Sequence, residues 1–281
     1  MCSLPGKNRR RATHQQQRVI AVSRELTLLR EAKRRLSTTI RHIYPTGLVR
    51  YYLYTKSAHF EPELWLVPLF VSHSGLAIDV GANAGHWSLQ LSRYTRAVHA
   101  FEPNPICLSE LRRVLPRRVA IHPIALSDRS EVFQMRFDPN NTGIGTIEPR
   151  NRLLNNPGIE TIETIDVTSA RLDDFNFHDV EFIKIDVEGH EEAVLLGGAA
   201  TIERDRPTIV CEIEERHNPG SFVRVNAFLE KLGYQVGAVQ DGRLHHLDSI
   251  RAKGAPRLAS SAGINNFVFI DKRRAAEVFE I

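Results

Sequence analysis

Cysteine is scarce in this sequence: Cys2, Cys107 and Cys211 stand far apart among 281 residues, with no Cys-x-x-Cys pair. That spacing argues against a disulfide framework and a thiolate zinc site, and a reducing cytosol is the expected setting. Long apolar runs are missing too. The best candidate, around Leu64–Val71, contains Pro68 and falls far short of the ~18–20 residues a membrane-spanning helix needs. The basic start lacks the apolar stretch of a secretory leader, although an Arg-rich, acid-poor start also fits an organelle transit peptide. There is no internal repeat, and no low-complexity tract beyond the leading residues. The expectation is a cytoplasmic globular chain.

What is present is unevenly spread. Residues 1–50 hold twelve Lys or Arg against Glu25 and Glu31, a balance of +10. The remaining 25 bases and 31 acids give residues 51–281 a balance of −6. The mildly acidic body is therefore a poor match for a nucleic-acid backbone, which is gripped by clustered Lys and Arg. A tail touching an anionic surface stays open.

The order along the chain suggests two parts, a basic tail with an amphipathic helix over residues 1–55 and a main domain over 56–281. In the first part Val19, Val22, Leu26, Leu29, Leu36 and Ile40 recur at spacings of three and four. That stripe fits either a helix laid on the main domain or a short homodimer helix. After Glu61-Pro62, apolar strand-like runs alternate with helical stretches. The runs are LAIDVGANAG (76–85), a strand running into a glycine turn, AVHAFEPN (97–104), VAIHPIALSD (119–128), VEFIKIDVEG (180–189), PTIVCEIEE (207–215), YQVGAV (234–239) and NNFVFI (265–270). Such alternation implies a mostly parallel sheet with helices on both faces. Between the third and fourth runs, residues 137–158 are rich in Asn, Gly and Pro and read as a long loop, a candidate acceptor wall.

Ligands of open parallel sheets sit beyond the carboxyl ends of the strands. At the end of the first run stands DVGANAG, with Asp79, Gly81, Ala82, Asn83 and Gly85. Small residues there let the backbone approach a ligand. At the end of the second run Glu102 is placed to hold two ribose hydroxyls. The turn is not the G-x-G-x-x-G of a dinucleotide site. A nucleoside ligand without a pyrophosphate fits better, and S-adenosylmethionine is the leading candidate.

The motifs IDVGANAGHWS (78–88), FEPNP (101–105), ALSD (125–128), LDDF (172–175) and IKIDVEGHEEAVLLGGA (183–199) resemble those of FkbM-type S-adenosylmethionine-dependent methyltransferases. The similarity extends over roughly residues 60–271. It implies a Rossmann-like class I methyltransferase fold, a seven-stranded sheet that is mostly parallel with an antiparallel last strand. It also implies that Asp79 and the Gly81–Gly85 backbone face the methionine and ribose, that Glu102 holds the ribose, and that Asp128, with Ser127 beside it, reaches the adenine. The acceptor it implies is a hydroxyl of a small molecule or glycan.

FIKIDVEGHEE (182–192) carries charge into an apolar run, which is costly unless the ions are paired or used. As an extended strand it puts Lys184, Asp186 and Glu188 on one side. Asp186, Glu188 and His190, with Lys184 neutralising Asp186, are the catalytic candidates for orienting or deprotonating the acceptor. Glu212 and His217 stand second. Asp186 and Glu212 sharing Mg2+ is an alternative. Two other functions are weighed: a nucleic-acid methyltransferase using the basic tail, and a non-catalytic cofactor-binding module.

Overall fold

The computed structural model describes residues 61–153, 159, 161–252, 258–260 and 263–279. The tail and helix expected over residues 1–55, with any dimer contact through them, lie outside the described residues. In chain order the strands are β1 (Leu76–Val80), β2 (Ala97–Phe101), β3 (Val119–His122), β4 (Ala125–Leu126), β5 (Val132–Asp138), β6 (Asn141–Thr146), β7 (Glu163–Ala170), β8 (Val180–Ile185), β9 (Thr208–Glu212), β10 (Tyr234–Gln240), β11 (Arg243–His246) and β12 (Asn266–Asp271). The α-helices are α1 (Val67–Phe70), α2 (His86–Leu91), α3 (Pro105–Val114), α4 (Glu191–Gly197), α5 (Ala199–Asp205), α6 (Ser221–Lys231), α7 (Leu247–Ala252) and α8 (Lys272–Val278).

The main sheet runs β11-β10-β12-β9-β8-β1-β2-β3. Neighbours from β9 through β3 pair in parallel, while β12 is antiparallel to both β9 and β10. The expected sheet with its antiparallel last strand is present, and an eighth strand, β11, turns back along the edge of β10. Ile78, Val80, Ile183, Ile185, Ile209 and Phe267 are almost wholly buried and form the centre of the core. Each such side chain contributes on the order of 2 kcal/mol by leaving water. With both faces covered, the central strands read as unbroken apolar runs rather than alternating ones.

Register brings the strand ends level. Val80 pairs with Phe101 on one side and Ile185 on the other, and Ile185 pairs with Cys211. The mouth of the sheet is therefore a row of four adjacent strand ends, each continuing into a separate loop.

The expected third strand over 119–128 divides in two. Pro123, which has no N–H to give a ladder, follows β3. The chain then leaves the main sheet as β4 and pairs with β7. β4, β7, β5 and β6 make a second, four-stranded sheet. Its β6 lies within the stretch read as loop, residues 137–158: Asn and Gly there serve a hairpin rather than an irregular connection. The helix expected after residue 190 also divides, into α4 and α5, at Gly198.

Candidate functional site

The turn after β1 owes its shape to two glycines. Gly81 has φ +79°, and a Cβ there would lie 1.9 Å from the Asp186 carbonyl oxygen, so only glycine lets the loops after β1 and β8 touch. Gly85, with φ +84°, caps α2, and its N–H bonds the Ala82 carbonyl at 2.7 Å. The N–H groups of Gly81 and Ala82 both reach the Phe101 carbonyl, which ties the turn to the end of β2. Asp79 is buried and accepts a 2.5 Å hydrogen bond from Ser88 Oγ. It secures the start of α2 and does not line the cleft beyond the strand ends.

Glu102 does line that cleft. Its two carboxyl oxygens each accept a backbone N–H at 2.8 Å, Oε2 from Asn83 and Oε1 from Asn104. Asn104 is fixed in turn as the N-cap of α3, accepting from Ile106 N at 3.0 Å ahead of a first-position Pro105. Burial lifts the Glu102 carboxyl to about 7 in spite of those two donors. Each oxygen has lone pairs left for further donors.

The cleft has an empty volume of about 640 Å³, open solvent at its mouth included. Its wall near Glu102 is apolar: Phe101, Ile124 and Leu126, with Met135 and Ile147 from the second sheet. From the sequence, Ile147 falls in the segment expected to wall the acceptor, whereas Met135 carries no such signal, because nothing local marks a strand pair as the cover of a site some 50 residues away. Gly81 and Asn83 line the cleft, whereas Ala82 and Gly85 shape the turn behind them. Ser127 and Asp128 are likewise outside the lining. Once β4 has joined β7, Ser127 N donates to the Ala170 carbonyl and the chain turns away, leaving Asp128 paired with exposed Arg129 at 3.2 Å.

The other end of the cleft is acidic. β8 stops at Ile185, so Lys184, Asp186 and Glu188 do not share one side of a continuous strand as expected. Asp186 N still pairs with the Val80 carbonyl, after which the chain enters a turn with Glu188 at φ +54° and Gly189 at φ +106°. Lys184 is fully buried on the strand. Its Nζ lies 3.9 Å from Asp186 Oδ2 and 4.0 Å from Glu212 Oε2, donates to Asn266 Oδ1 at 3.2 Å, and sits over the Trp87 ring. Burial works against its charge, and Asp186, Glu61 and Glu212 outweigh burial, so its pKa is raised overall. The Asp186 and Glu212 carboxyls flank the Lys184 ammonium, and both are pushed upward, Asp186 mainly by burial and Glu212 mainly by the Asp186 charge.

His190 is buried in a hydrogen-bonded chain. Its Nε2 is 2.9 Å from Ser127 Oγ and its Nδ1 is 3.4 Å from Glu148 Oε2. With both ring nitrogens engaged, it ties the turn after β8 to β4 and to the segment after β6 rather than offering a free base. Glu188 and His217 stand 3.1 Å apart at the carboxyl-terminal side of β8 and β9.

The Asp186–Glu212 pair does not fit a magnesium ion well. Lys184 already supplies positive charge between the two carboxyls, and among the described residues no group of three or more His, Cys, Asp or Glu is arranged to hold a metal. The cleft does fit an adenosyl ligand: a carboxyl with spare acceptor capacity, a glycine turn that a Cβ would block, and an apolar wall all meet there.

Residues 79–236 match the family described as methyltransferase FkbM domain. Among curated proteins the chain has no match. Among solved structures, it is 16% identical to the methyltransferase FkbM from Methylobacillus flagellatus KT, with TM-score 0.47 over 87% of this chain and 60% of that one. The chain thus spans 60% of that relative's length. A putative methyltransferase from Streptococcus mutans in complex with SAH is 10% identical, with TM-score 0.43 over 74% of this chain and 94% of that one. The precorrin-6y C5,15-methyltransferase from Geobacter metallireducens is 15% identical, with TM-score 0.38 over 74% and 85%.

Proposed function

The chain belongs to the methyltransferase FkbM family, and on that premise we propose that it transfers a methyl group from S-adenosylmethionine to a hydroxyl oxygen of a small molecule or glycan. One observation carries the reading. Glu102 ends β2 inside the cleft, beside a glycine turn that only a Cβ-free residue permits, with both oxygens aimed by backbone donors. A carboxylate so held accepts two hydrogen bonds from a ribose diol. Gly81 and Asn83, with Ala82 and Gly85 behind them, surround the ribose and methionine end. Ile124 and Leu126, rather than their neighbours Ser127 and Asp128, form the wall for the adenine.

S-adenosylmethionine supplies an electrophilic methyl group on a sulfonium. The protein's part is to hold the acceptor oxygen in line with that methyl and to receive its proton. The acidic end of the cleft, with Asp186 and Glu188 in its lining and Lys184 beneath, suits a neutral or cationic acceptor and repels a phosphorylated one.

The test is calorimetry with S-adenosylmethionine and with NAD. Binding of the first alone is expected. Glu102→Ala should weaken S-adenosylmethionine by ~30-fold, the equivalent of ~2 kcal/mol for hydrogen bonds to a charged acceptor. Undiminished affinity in that variant, or a preference for NAD, would overturn the reading. Labelled cofactor incubated with hydroxylated small molecules and glycans then tests the acceptor class.

A further inference from the structure

Two loops meet beyond β8 and β9, and between them they present one carboxylate. Glu188 adopts φ +54°, a left-handed conformation disfavoured for a residue with a Cβ and typical of sites where position matters more than comfort. The turn is held in it from three directions. Thr146 Oγ1 and Asn151 Nδ2, after the β5–β6 hairpin, donate to the Glu188 carbonyl at 2.9 and 2.8 Å. Asn218 Nδ2, in the loop after β9, donates to the Gly189 carbonyl at 2.9 Å, and the Gly189 N–H donates to Glu191 Oε1 at 2.8 Å. Gly189 also makes room: a Cβ there would come within 3.1 Å of His217 Cβ.

The result is a carboxyl in the cleft lining with an imidazole against it. His217 is only 5% exposed, and its Nε2 lies 3.1 Å from Glu188 Oε2. The two atoms face each other off the axis of a hydrogen bond, and each is a buried polar atom without an aligned partner among the described residues. Such a pair is incomplete until a third group bonds to it. The other candidates at this end are already engaged: His190 with Ser127 and Glu148, and Asp186 with the buried Lys184 ammonium.

We propose that Glu188, oriented by His217, is the catalytic base that takes the hydroxyl proton of the acceptor. This deepens the methyltransferase reading and rests on it. In that transfer the acceptor oxygen forms its bond to the methyl carbon while the carbon–sulfur bond breaks with its electron pair left on sulfur. The hydroxyl proton passes to the Glu188 carboxylate, so positive and negative charge cancel together. His217 is a positioning residue that acts through Glu188.

Groups from every side set the strength of this base. Burial raises the Glu188 carboxyl to about 9, and the charges of Asp186 in its own turn, Glu212 at the end of β9 and Glu191 on α4 add to that, with Arg216 opposing. Glu214, which lies 3.9 Å from His217 Nε2, faces the imidazole rather than the carboxyl. A base held protonated by negative neighbours gives up its proton when a cationic ligand arrives beside it.

Proton release on binding tests this without an acceptor. Calorimetry at about pH 8, in two buffers of different ionisation enthalpy, compares S-adenosylmethionine with its uncharged demethylated product. At that pH Glu102 is already largely ionised and Glu188 is not. The wild type should release protons with the sulfonium ligand and not with the product. The release should vanish in Glu188→Gln, persist in Glu212→Gln, and shift along the pH axis in His217→Asn. Equal release with both ligands in the wild type, or release that survives in Glu188→Gln and disappears in Glu212→Gln, would overturn the assignment. If neither ligand binds the wild type, the methyltransferase reading fails instead.

Discussion

Lys184 is charged although burial opposes it, because three carboxyls surround it. Lys184→Met keeps the volume and removes the cation, leaving Asp186 and Glu212 without their counter-ion. A loss of about 3 kcal/mol in denaturant unfolding is expected, most of it at the alkaline end where those carboxyls would have to be ionised. A second residue-scale effect sits on the neighbouring strands β2 and β3. His99 Nδ1 and His122 Nε2 are 3.0 Å apart on adjacent strands, and burial, aided by His122, lowers His99 to about 4. A histidine with a folded pKa below its unfolded value stabilises the fold at neutral pH and loses that contribution as pH falls from about 6.5 towards 4. His99→Gln should flatten the unfolding midpoint over that window. Charge in an apolar run was enough to single out residues 184–190 from the sequence. Which of those groups stays uncommitted was not visible, since the partners of His190 and the second carboxyl on Lys184 lie 28 to 63 positions away.

Among the elements, α4 shows how local propensity is overruled. Gly197→Ala in an isolated helix gains about 1 kcal/mol. Here a Cβ at residue 197 would fall 1.9 Å from the Ser127 carbonyl, so α4 would have to move off the strand end behind β4. Gly197→Ala is therefore expected to lower stability by several kcal/mol, read as a reduced melting temperature, with the sign opposite to the helix scale. The same tight approach explains why the helix after residue 190 is broken near Gly197–Gly198 although its sequence reads as one. The hairpin β5–β6 was hidden for a related reason. Asn and Gly mark turns and loops equally well, and only pairing with β5, itself held by β7, settles that Asn141–Thr146 is extended. By contrast the positions of β1, β2, β8, β9 and β12 were legible, because a strand buried on both faces must be apolar throughout, although β8 was read as running on to Glu188 and stops at Ile185.

For the whole molecule, carboxyls dominate the response to pH. Burial holds Asp79 at about 6, Glu63, Glu102 and Glu191 at about 7 and Glu188 at about 9, and the Asp186 charge with burial holds Glu212 at about 9. A carboxyl with a raised folded pKa binds more protons when folded, so its contribution is complete below about 4.5 and is lost as pH rises through the folded value. Above about pH 6.5 the histidine effect is exhausted and only this loss remains. The melting temperature of the ligand-free protein should accordingly fall from about pH 6.5 to 9, and a rise over that interval would contradict the burial described here. The order of strands has its own consequence. β12 is the last strand in sequence among the described residues, yet it is threaded between β9 and β10. While a nascent chain is still on the ribosome, the β10–β11 hairpin cannot join the rest of the sheet until residues 266–271 emerge. Until they do, the partly synthesised chain carries an open sheet edge at β9, and chaperone demand should fall once that segment has left the ribosome.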